Sequence, residues 1–140
     1  MIVVGFDGSE HARRALGWAA EQARMRGVEL RVVTAIPKAS VSFWPSLPTG
    51  DSKDAERRTR EQVDAAIGEL GEQLEGIKVT RQIVREEQPA RALCRAAEDA
   101  ELLVVGSRGR GGFRGLMLGS TSQQSITYAP CPVTVVRPGD

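Results

Sequence analysis

The sequence predicts an α/β fold: a doubly wound, five-stranded parallel sheet with helices on both faces. Short apolar runs rich in β-branched residues alternate with amphipathic helical patterns along the chain. Parallel strands need long connections that are nearly always right-handed, so this alternation favours helices that cross over the sheet. The length of 140 residues suits one domain. We expect residues 1–140 to form it, with the strand order 3-2-1-4-5.

The first strand is predicted over residues 1–6, a continuous apolar run typical of a strand that is buried on both faces. Ser9 is placed to cap the next helix, and Gly27, which readily adopts left-handed conformations, is placed to end it. Small side chains recur on this helix at spacings of three and four, which allows close packing on a sheet: Ala12, Ala15, Leu16, Ala19, Ala20 and Ala23. A second strand follows over residues 28–36 and is closed by Pro37.

Residues 37–51 interrupt the alternation with three prolines, three serines and the aromatic pair Phe43 and Trp44. That composition is typical of a long loop, which could serve as a lid, as a partner contact or as a segment anchored by its own aromatic side chains. The remaining elements resume the alternation: helices over 52–75, from Pro89 to about 100 and over 120–129, and strands over 77–84, 102–105 and 132–137.

The charge balance argues against a nucleic-acid or membrane partner. Nineteen basic and eighteen acidic side chains leave a formal charge of +1, which provides no broad field for gripping a polyanion. No apolar stretch approaches the ~18 residues of a membrane span, and the chain starts on Met1 and an apolar strand instead of a signal segment. We therefore expect a cytoplasmic protein in which any phosphate recognition is local.

Neither the cysteines nor the histidine shows a spacing typical of a metal site. We interpret Cys94 and Cys131 as small buried side chains. A disulfide between them is compatible with the sequence but is disfavoured in a reducing compartment. His11, the single histidine, falls on the first turn of a helix, and we interpret it as a surface residue.

The loop after the fourth strand is the richest in glycine, with six glycines among residues 106–122. Glycine lets a ligand approach the backbone closely, and the helix that begins near residue 120 offers unpaired amides and a positive dipole end. In a doubly wound sheet this loop and the turn over residues 7–9 lie at the strand ends where ligands bind. Together these features predict an anion as the ligand. An irregular, flexible loop is the alternative.

Two common glycine fingerprints do not fit this loop. A P-loop is excluded because the chain contains no Gly-Lys-Ser or Gly-Lys-Thr. A dinucleotide fingerprint that starts at Gly109 and Gly111 would need glycine at position 114, where Arg114 stands. That fingerprint should also follow the first strand and not the fourth.

A different glycine pattern is complete: Gly106, two residues, Gly109, nine residues, and then Gly119-Ser120. It resembles the ATP-binding signature of the universal stress protein family. The resemblance extends over the whole chain, through the opening IVVGFDGS at 2–9, the middle LVVGSRG at 103–109 and the closing APCPVTVV at 129–136. It implies a cytoplasmic module that binds ATP and regulates or signals in a stress response.

The resemblance also implies a role for each matching residue. Two glycines would contact the ribose and the first phosphates: Gly106 and Gly109. Backbone and hydroxyl groups at the start of the last helix would bind the outer phosphates: Gly119, Ser120, Thr121 and Ser122. The nucleoside end would lie against residues at three strand ends: Gly5, Asp7, Ala35 and Val105. Mg2+ would bridge the phosphates with Ser120 nearby.

Some of these assignments keep an alternative. Asp7 could simply form the turn that leads to Ser9, because Asp-Gly is a common turn pair, although its place at a strand end favours a binding role. The arginines of the glycine-rich loop could steer phosphate or could be ordinary solvated side chains: Arg108, Arg110 and Arg114.

Three functions remain distinguishable. A binding module is favoured because no residue stands out as a water-activating base, although Asp7 with a metal could support slow ATP hydrolysis. An adenylate-forming enzyme is disfavoured, since the turn after the first strand contains the single glycine Gly8 in place of a glycine-rich pyrophosphate loop. A nucleotide-free interaction protein is the third, and the complete signature argues against it.

The sequence of the last strand predicts that its edge is covered by a partner chain. Its valines, Val133, Val135 and Val136, would leave an apolar and unpaired edge in the expected strand order. The resemblance implies a two-fold homodimer in which this edge pairs with the same edge of a second copy.

Overall fold

The computed structural model of the protein describes residues 1–38, 52–108 and 118–139. The strands within these residues are β1 (Ile2–Gly5), β2 (Leu30–Ile36), β3 (Val79–Arg85), β4 (Leu102–Gly106) and β5 (Val133–Val136). They form one parallel sheet in the order β3-β2-β1-β4-β5. The predicted fold class and strand order are thereby confirmed.

Helices connect the strands and cover both faces of the sheet: α1 (Glu10–Arg26), α2 (Ser52–Leu70), α3 (Pro89–Ala96) and α4 (Ser120–Tyr128). α1 and α2 share a core with alternate residues of β1, Ile2 and Val4. α3 shares a second core with the residue between them, Val3. Because successive side chains of a strand point to opposite faces, β1 is buried on both, as its continuous apolar run predicted.

α1 forms where the local signals place it. The Ser9 side chain accepts a hydrogen bond from the amide of Ala12 at 3.1 Å, and Gly27 ends the helix with a φ of 64°. The predicted stripe of alanines with Leu16 is buried. Because alanine adds a single methyl group, the backbone of α1 can approach the sheet closely. That close approach recurs at the functional site.

Two helices end earlier than their apolar patterns. α2 stops at Leu70 and not at residue 75, because Gly71 adopts a φ of 44° and a short 3-10 turn follows over Gly71–Leu74. α3 stops at Ala96, and the half-buried Ala100 packs on the core from beyond the helix. Apolar spacing reports which face is buried, whereas the last hydrogen-bonded turn depends on backbone conformation.

The prediction of fully buried cysteines is wrong. Cys94 on α3 and Cys131 just before β5 are both free thiols, and both are half-buried. Burial raises the pKa of both thiols, and the neighbouring Cys131 adds to the rise at Cys94. The two side chains therefore lie near each other at the margin of the core, without a bond between them.

Candidate functional site

The candidate site lies at the carboxyl ends of β1 and β4, where the strand order reverses. β1 is followed along the chain by β2 on one side, while β4 pairs with β1 on the other side. In doubly wound sheets the connections diverge at such a point and leave a crevice that binds ligands. The turn over residues 7–9 and the segment after Gly106 both start at this crevice.

The first two residues of the glycine-rich segment are held from several directions. The hydroxyl of Ser122 on α4 donates to the carbonyl of Gly106 at 2.5 Å. The amide of Ser107 donates to the carbonyl of Val136 on β5 at 3.0 Å. The carbonyl of Ser107 accepts from the amide of Gly119 at 2.7 Å. The Gly119 contact joins the two ends of the glycine-rich segment, so the chain returns to its starting point before α4 begins.

His11 contributes to the same site, which corrects its interpretation as a surface residue. Its imidazole Nδ1 lies 3.2 Å from the hydroxyl oxygen of Ser107, a hydrogen-bonding distance. Ser107 is 2% exposed, and His11 is half-buried. Sequence reasoning missed this contact because it depends on how closely α1 packs on β4, which no local pattern in the chain reports.

Gly106 shows how close that packing is. A Cβ added at Gly106 would lie 2.8 Å from the backbone carbonyl oxygen of His11 and 2.9 Å from its carbon. Such distances are shorter than van der Waals contact, and backbone atoms cannot rotate away as a side chain can. Glycine is therefore required at this position for steric reasons, whatever ligand the loop binds.

The turn after β1 is built around Asp7. Its carboxylate oxygen Oδ1 accepts a hydrogen bond from the amide of Ser9 at 2.9 Å, and Gly8 adopts a φ of 85°. This is the turn-forming role that the sequence left open for Asp7. The side chain is also exposed at the mouth of the crevice, so the geometry is compatible with both roles.

Three residues predicted for the nucleoside end share one face of the sheet. Val105 is buried in the core that α3 covers, and β4 places it two residues beyond Leu103 of the same core. Gly5 lies on that face as well, since an added Cβ would meet a side-chain carbon of Leu93 on α3 at 2.8 Å. Ala35 is half-buried and lies two residues beyond Val33 of this core. The face therefore offers a small, apolar wall.

The start of α4 supplies the polar part of the site. Gly119 is the N-cap residue, and no side chain caps the helix there. The first amides of a helix have no partner within the helix, and the helix dipole makes this end attractive to an anion. Ser120 is exposed and Thr121 is half-buried. The Ser122 hydroxyl already has a protein partner in Gly106, so it contributes by holding the loop.

Some predicted positions cannot be placed. Gly109, Arg110 and Arg114 lie outside the described residues, as does the aromatic pair of the long loop, Phe43 and Trp44. Arg108 is described and half-buried. The structure thus brings together both ends of the glycine-rich segment, the turn after β1 and the start of α4.

Two features are not found in the part of the chain that the structure describes. No group of three histidine, cysteine or acidic side chains is arranged to hold a metal ion. No described helix is both long and apolar enough to cross a membrane.

The fold and the site together define a class: a doubly wound α/β protein whose fourth strand leads through a glycine-rich segment into a helix start at the crevice. The sequence model of the universal stress protein family matches residues 1–137. The chain belongs to that family. The resemblance noted in its glycine pattern and strand sequences is thereby confirmed.

Curated relatives carry the same family name. A universal stress protein of Mycobacterium tuberculosis is 38% identical over 137 residues, which cover 97% of this chain and 44% of the relative. A universal stress protein of Thermus aquaticus is 34% identical over 139 residues, which cover 97% of both chains. The chain thus spans less than half the length of the mycobacterial relative and nearly all of the Thermus one.

Solved structures include relatives with nucleotides bound. A universal stress protein from Archaeoglobus fulgidus in complex with dAMP has a TM-score of 0.67 and 27% identity, with 96% of this chain and 94% of that one covered. A universal stress protein in complex with cAMP has a TM-score of 0.64 and 25% identity, with 99% and 96% covered. UspA from Lactobacillus plantarum, at a TM-score of 0.79, 22% identity and coverage of 97% and 96%, supports the fold alone.

Proposed function

We propose that the protein is a cytoplasmic regulatory module that binds ATP with Mg2+ at the carboxyl ends of β1 and β4 and signals in a stress response. One observation carries the proposal: the amide of Gly119 closes the glycine-rich segment onto Ser107, directly before the uncapped start of α4. This arrangement presents helix-start amides at the crevice, where an anion replaces the missing cap. Adenine mononucleotides bound to two structural neighbours support an adenine nucleotide as the ligand.

The proposed pose follows from the two sides of the crevice. The adenine and ribose would lie toward the apolar wall and the turn after β1, formed by Gly5, Asp7, Ala35 and Val105. The ribose and first phosphates would meet Gly106 and Gly109, and the outer phosphates would meet the start of α4 at Gly119, Ser120 and Thr121. Mg2+ fits here through phosphate oxygens and the exposed hydroxyl of Ser120, because hydroxyl, water and phosphate oxygens are its usual ligands.

Binding without efficient turnover is the favoured activity. A base for hydrolysis would have to reach a water beside the outer phosphates, but the Asp7 carboxylate is engaged by the amide of Ser9 in its own turn. We therefore expect at most slow hydrolysis. Nucleotide occupancy would instead select one conformation of the loop, which a partner then recognises.

A thermal-shift titration tests the binding. ATP with Mg2+ at about a hundred times its dissociation constant should stabilise the folded protein by roughly 2.7 kcal/mol. Gly119→Val should abolish this gain, because a branched side chain would stand where the loop meets the helix start. Gly68→Val is the matched control, since a Cβ at Gly68 on α2 meets no atom within 4 Å.

Competition separates ATP from the other adenine nucleotides. If the outer phosphates meet the start of α4, ATP should bind more tightly than AMP or cAMP, which lack those phosphates. Isothermal titration of each nucleotide measures the ranking. Equal affinities for ATP and AMP would contradict the proposed role of Ser120 and Thr121, and the absence of binding by all of them would end the proposal.

We also propose that the protein pairs with a second copy through β5. The carbonyls of Pro132 and Val136 accept hydrogen bonds from Leu103 on β4 and from Ser107 directly after it. The backbone groups of Val133 and Val135 therefore point toward the outer edge. The neighbouring helix α4 exposes two large apolar side chains, Ile126 at 51% and Tyr128 at 74%. From residue 115 to residue 136 the sequence contains no charged side chain, which favours self-association over charge-guided pairing.

Light scattering of the purified protein tests the dimer. Val135→Pro removes an edge-directed N–H while leaving the β4 side of the strand intact, so it should shift the protein toward the monomer. Val135→Ala retains the N–H and is the control for the loss of side-chain volume. A wild-type protein that stays monomeric at high concentration would contradict this pairing.

A further inference from the structure

The contact between His11 and Ser107 has no assigned role in nucleotide binding. His11 lies in the first turn of α1, and its Nδ1 is 3.2 Å from the Ser107 hydroxyl oxygen. Ser107 is the residue directly after β4, where the glycine-rich segment begins. The contact therefore links the start of one helix to the start of the loop that precedes another.

Ser107 connects the two ends of the glycine-rich loop by hydrogen bonds. Its amide is bound to Val136 of β5, and its carbonyl is bound by the amide of Gly119. The hydroxyl remains, and among the described residues its partner is His11; at 2% exposure of Ser107, water has little access to replace that contact. A displacement of Ser107 would be passed directly to Gly119 and so to the N-cap of α4.

A nucleophilic serine and a histidine base also lie at such a distance in enzymes, but the burial of Ser107 argues against nucleophilic catalysis by this pair. A serine with 2% exposure leaves no room for a substrate carbonyl or phosphorus to reach its hydroxyl. Both backbone groups of Ser107 are also committed to neighbouring strands and loops. The pair is therefore suited to holding a backbone and not to attacking a substrate.

We propose that His11 is a positioning residue, which through Ser107 holds both ends of the glycine-rich loop in the nucleotide-binding geometry before the nucleotide arrives. This inference rests on the proposed function and deepens it. When a loop samples several conformations, the observed affinity falls by the fraction that is competent to bind. By keeping Ser107 and Gly119 together in the free protein, His11 raises that fraction and spares the ligand the cost of bringing these two residues together.

Amide hydrogen exchange without nucleotide tests the positioning role alone. His11→Ala should speed exchange of the Ser107 and Gly119 amides about three- to tenfold, the factor that one neutral hydrogen bond supports. His11→Asn places an amide group near the position of Nδ1 and should restore slow exchange. Glu21→Ala, at an exposed position farther along α1, is the control and should leave both amides unchanged. Unchanged exchange in a folded His11→Ala protein would overturn the inference.

Titration with ATP and Mg2+ tests the link to binding. His11→Ala should weaken binding about three- to tenfold, and His11→Asn should recover most of the loss. Faster exchange with unaltered affinity would overturn the claim that the contact prepares the site. If the wild-type protein bound no adenine nucleotide, the proposed function would fail, while the exchange rates would still decide whether His11 holds the loop ends.

Ser107→Ala gives an independent approach if His11→Ala does not fold. Removing the hydroxyl breaks the same contact from the other side, so it should reproduce the faster exchange of the Gly119 amide. Where both single variants fold, the double variant His11→Ala with Ser107→Ala should lose no more affinity than either single variant, because both substitutions remove one interaction. Additive losses would show that the two residues act separately and would contradict the proposal.

Discussion

The two ends of the central strands are held together in different ways. At the amino ends, charged side chains pair: Glu29 before β2 accepts from the Thr80 hydroxyl at 2.9 Å and lies 3.7 Å from Lys78, while Glu101 before β4 pairs with Arg26 at 3.0 Å. At the carboxyl ends, the contacts around Gly106 and Ser107 are hydrogen bonds, most of which reach backbone groups.

The difference has a physical consequence for ligand binding. Ion pairs at exposed strand ends neutralise one another and leave little field for a further charge. The hydrogen bonds at the other end fix the backbone in place, and none of them adds an acidic side chain at the positive end of α4. One end of the sheet is thus held by ion pairs, and the other is the end at which we propose that an anion binds. Three substitutions test this contrast.

The largest effect is expected at Gly106. Gly106→Ala would press a methyl group against the backbone of His11, where 2.8 Å separates the new Cβ from the carbonyl oxygen, and should destabilise the fold by about 1–3 kcal/mol. Urea unfolding measures the loss. Gly17→Ala on α1 is the matched control, since its Cβ meets nothing within 4 Å and alanine should stabilise the helix by roughly 0.5–1 kcal/mol. Equal behaviour of the two variants would show that the close approach is absent.

An intermediate effect is expected at Ser122. Ser122→Ala removes the hydroxyl that donates to the Gly106 carbonyl in a buried setting, and should cost about 1 kcal/mol in unfolding experiments. Thr127→Ala is the control on the same helix: its hydroxyl also donates to a carbonyl, that of Gln123, but the side chain is exposed and water can replace it. A larger loss for the control would contradict the supporting role of Ser122.

The smallest effect is expected at the amino end. The hydrogen bond from Arg26 holds the pKa of Glu101 below its ordinary value. A lowered folded-state pKa means that the pair stabilises the protein above the ordinary carboxyl pKa of about 4.3 and loses this contribution as pH falls through the lowered value. Glu101→Gln should therefore be slightly less stable than wild type near neutral pH, and the difference should vanish in acid.

High salt provides the control for Glu101. The carboxylate is exposed, so added salt should shrink the difference at neutral pH while leaving the effects of Gly106→Ala and Ser122→Ala unchanged. A difference that persisted in strong salt or in acid would show that Glu101 acts by packing and not by charge.

Much of this molecule could be read from local patterns. The strands of the sheet and the cap and stop of α1 at Ser9 and Gly27 lie where periodicity and turn chemistry place them. The same patterns overran the ends of α2 and α3, because apolar spacing reports burial and not the last helical turn; at α2 the left-handed Gly71 ends the helix. Burial of Cys94 and Cys131 was overestimated because exposure at the margin of a core is set by neighbouring elements.

The candidate site also combines features that local patterns predict with features that depend on neighbouring elements. The glycine pattern predicts an anion site at Gly106, Gly119 and the start of α4, because those signals lie within one stretch of chain. The structure adds contacts that the sequence did not indicate: the Ser122 hydroxyl donates to the Gly106 carbonyl, and His11, interpreted as a surface residue, lies beside Ser107 at the end of β4.

By itself the sequence determined the order of strands and helices and the family, and it predicted a segment for binding phosphate, since each depends on residues close together along the chain. The tertiary structure alone decided which distant groups meet at that segment. His11 and Ser107 are 96 residues apart, and they touch because the alanine face of α1 lets its backbone pack closely on β4. Such a contact depends on the separation of packed elements, a quantity that no single stretch of sequence contains.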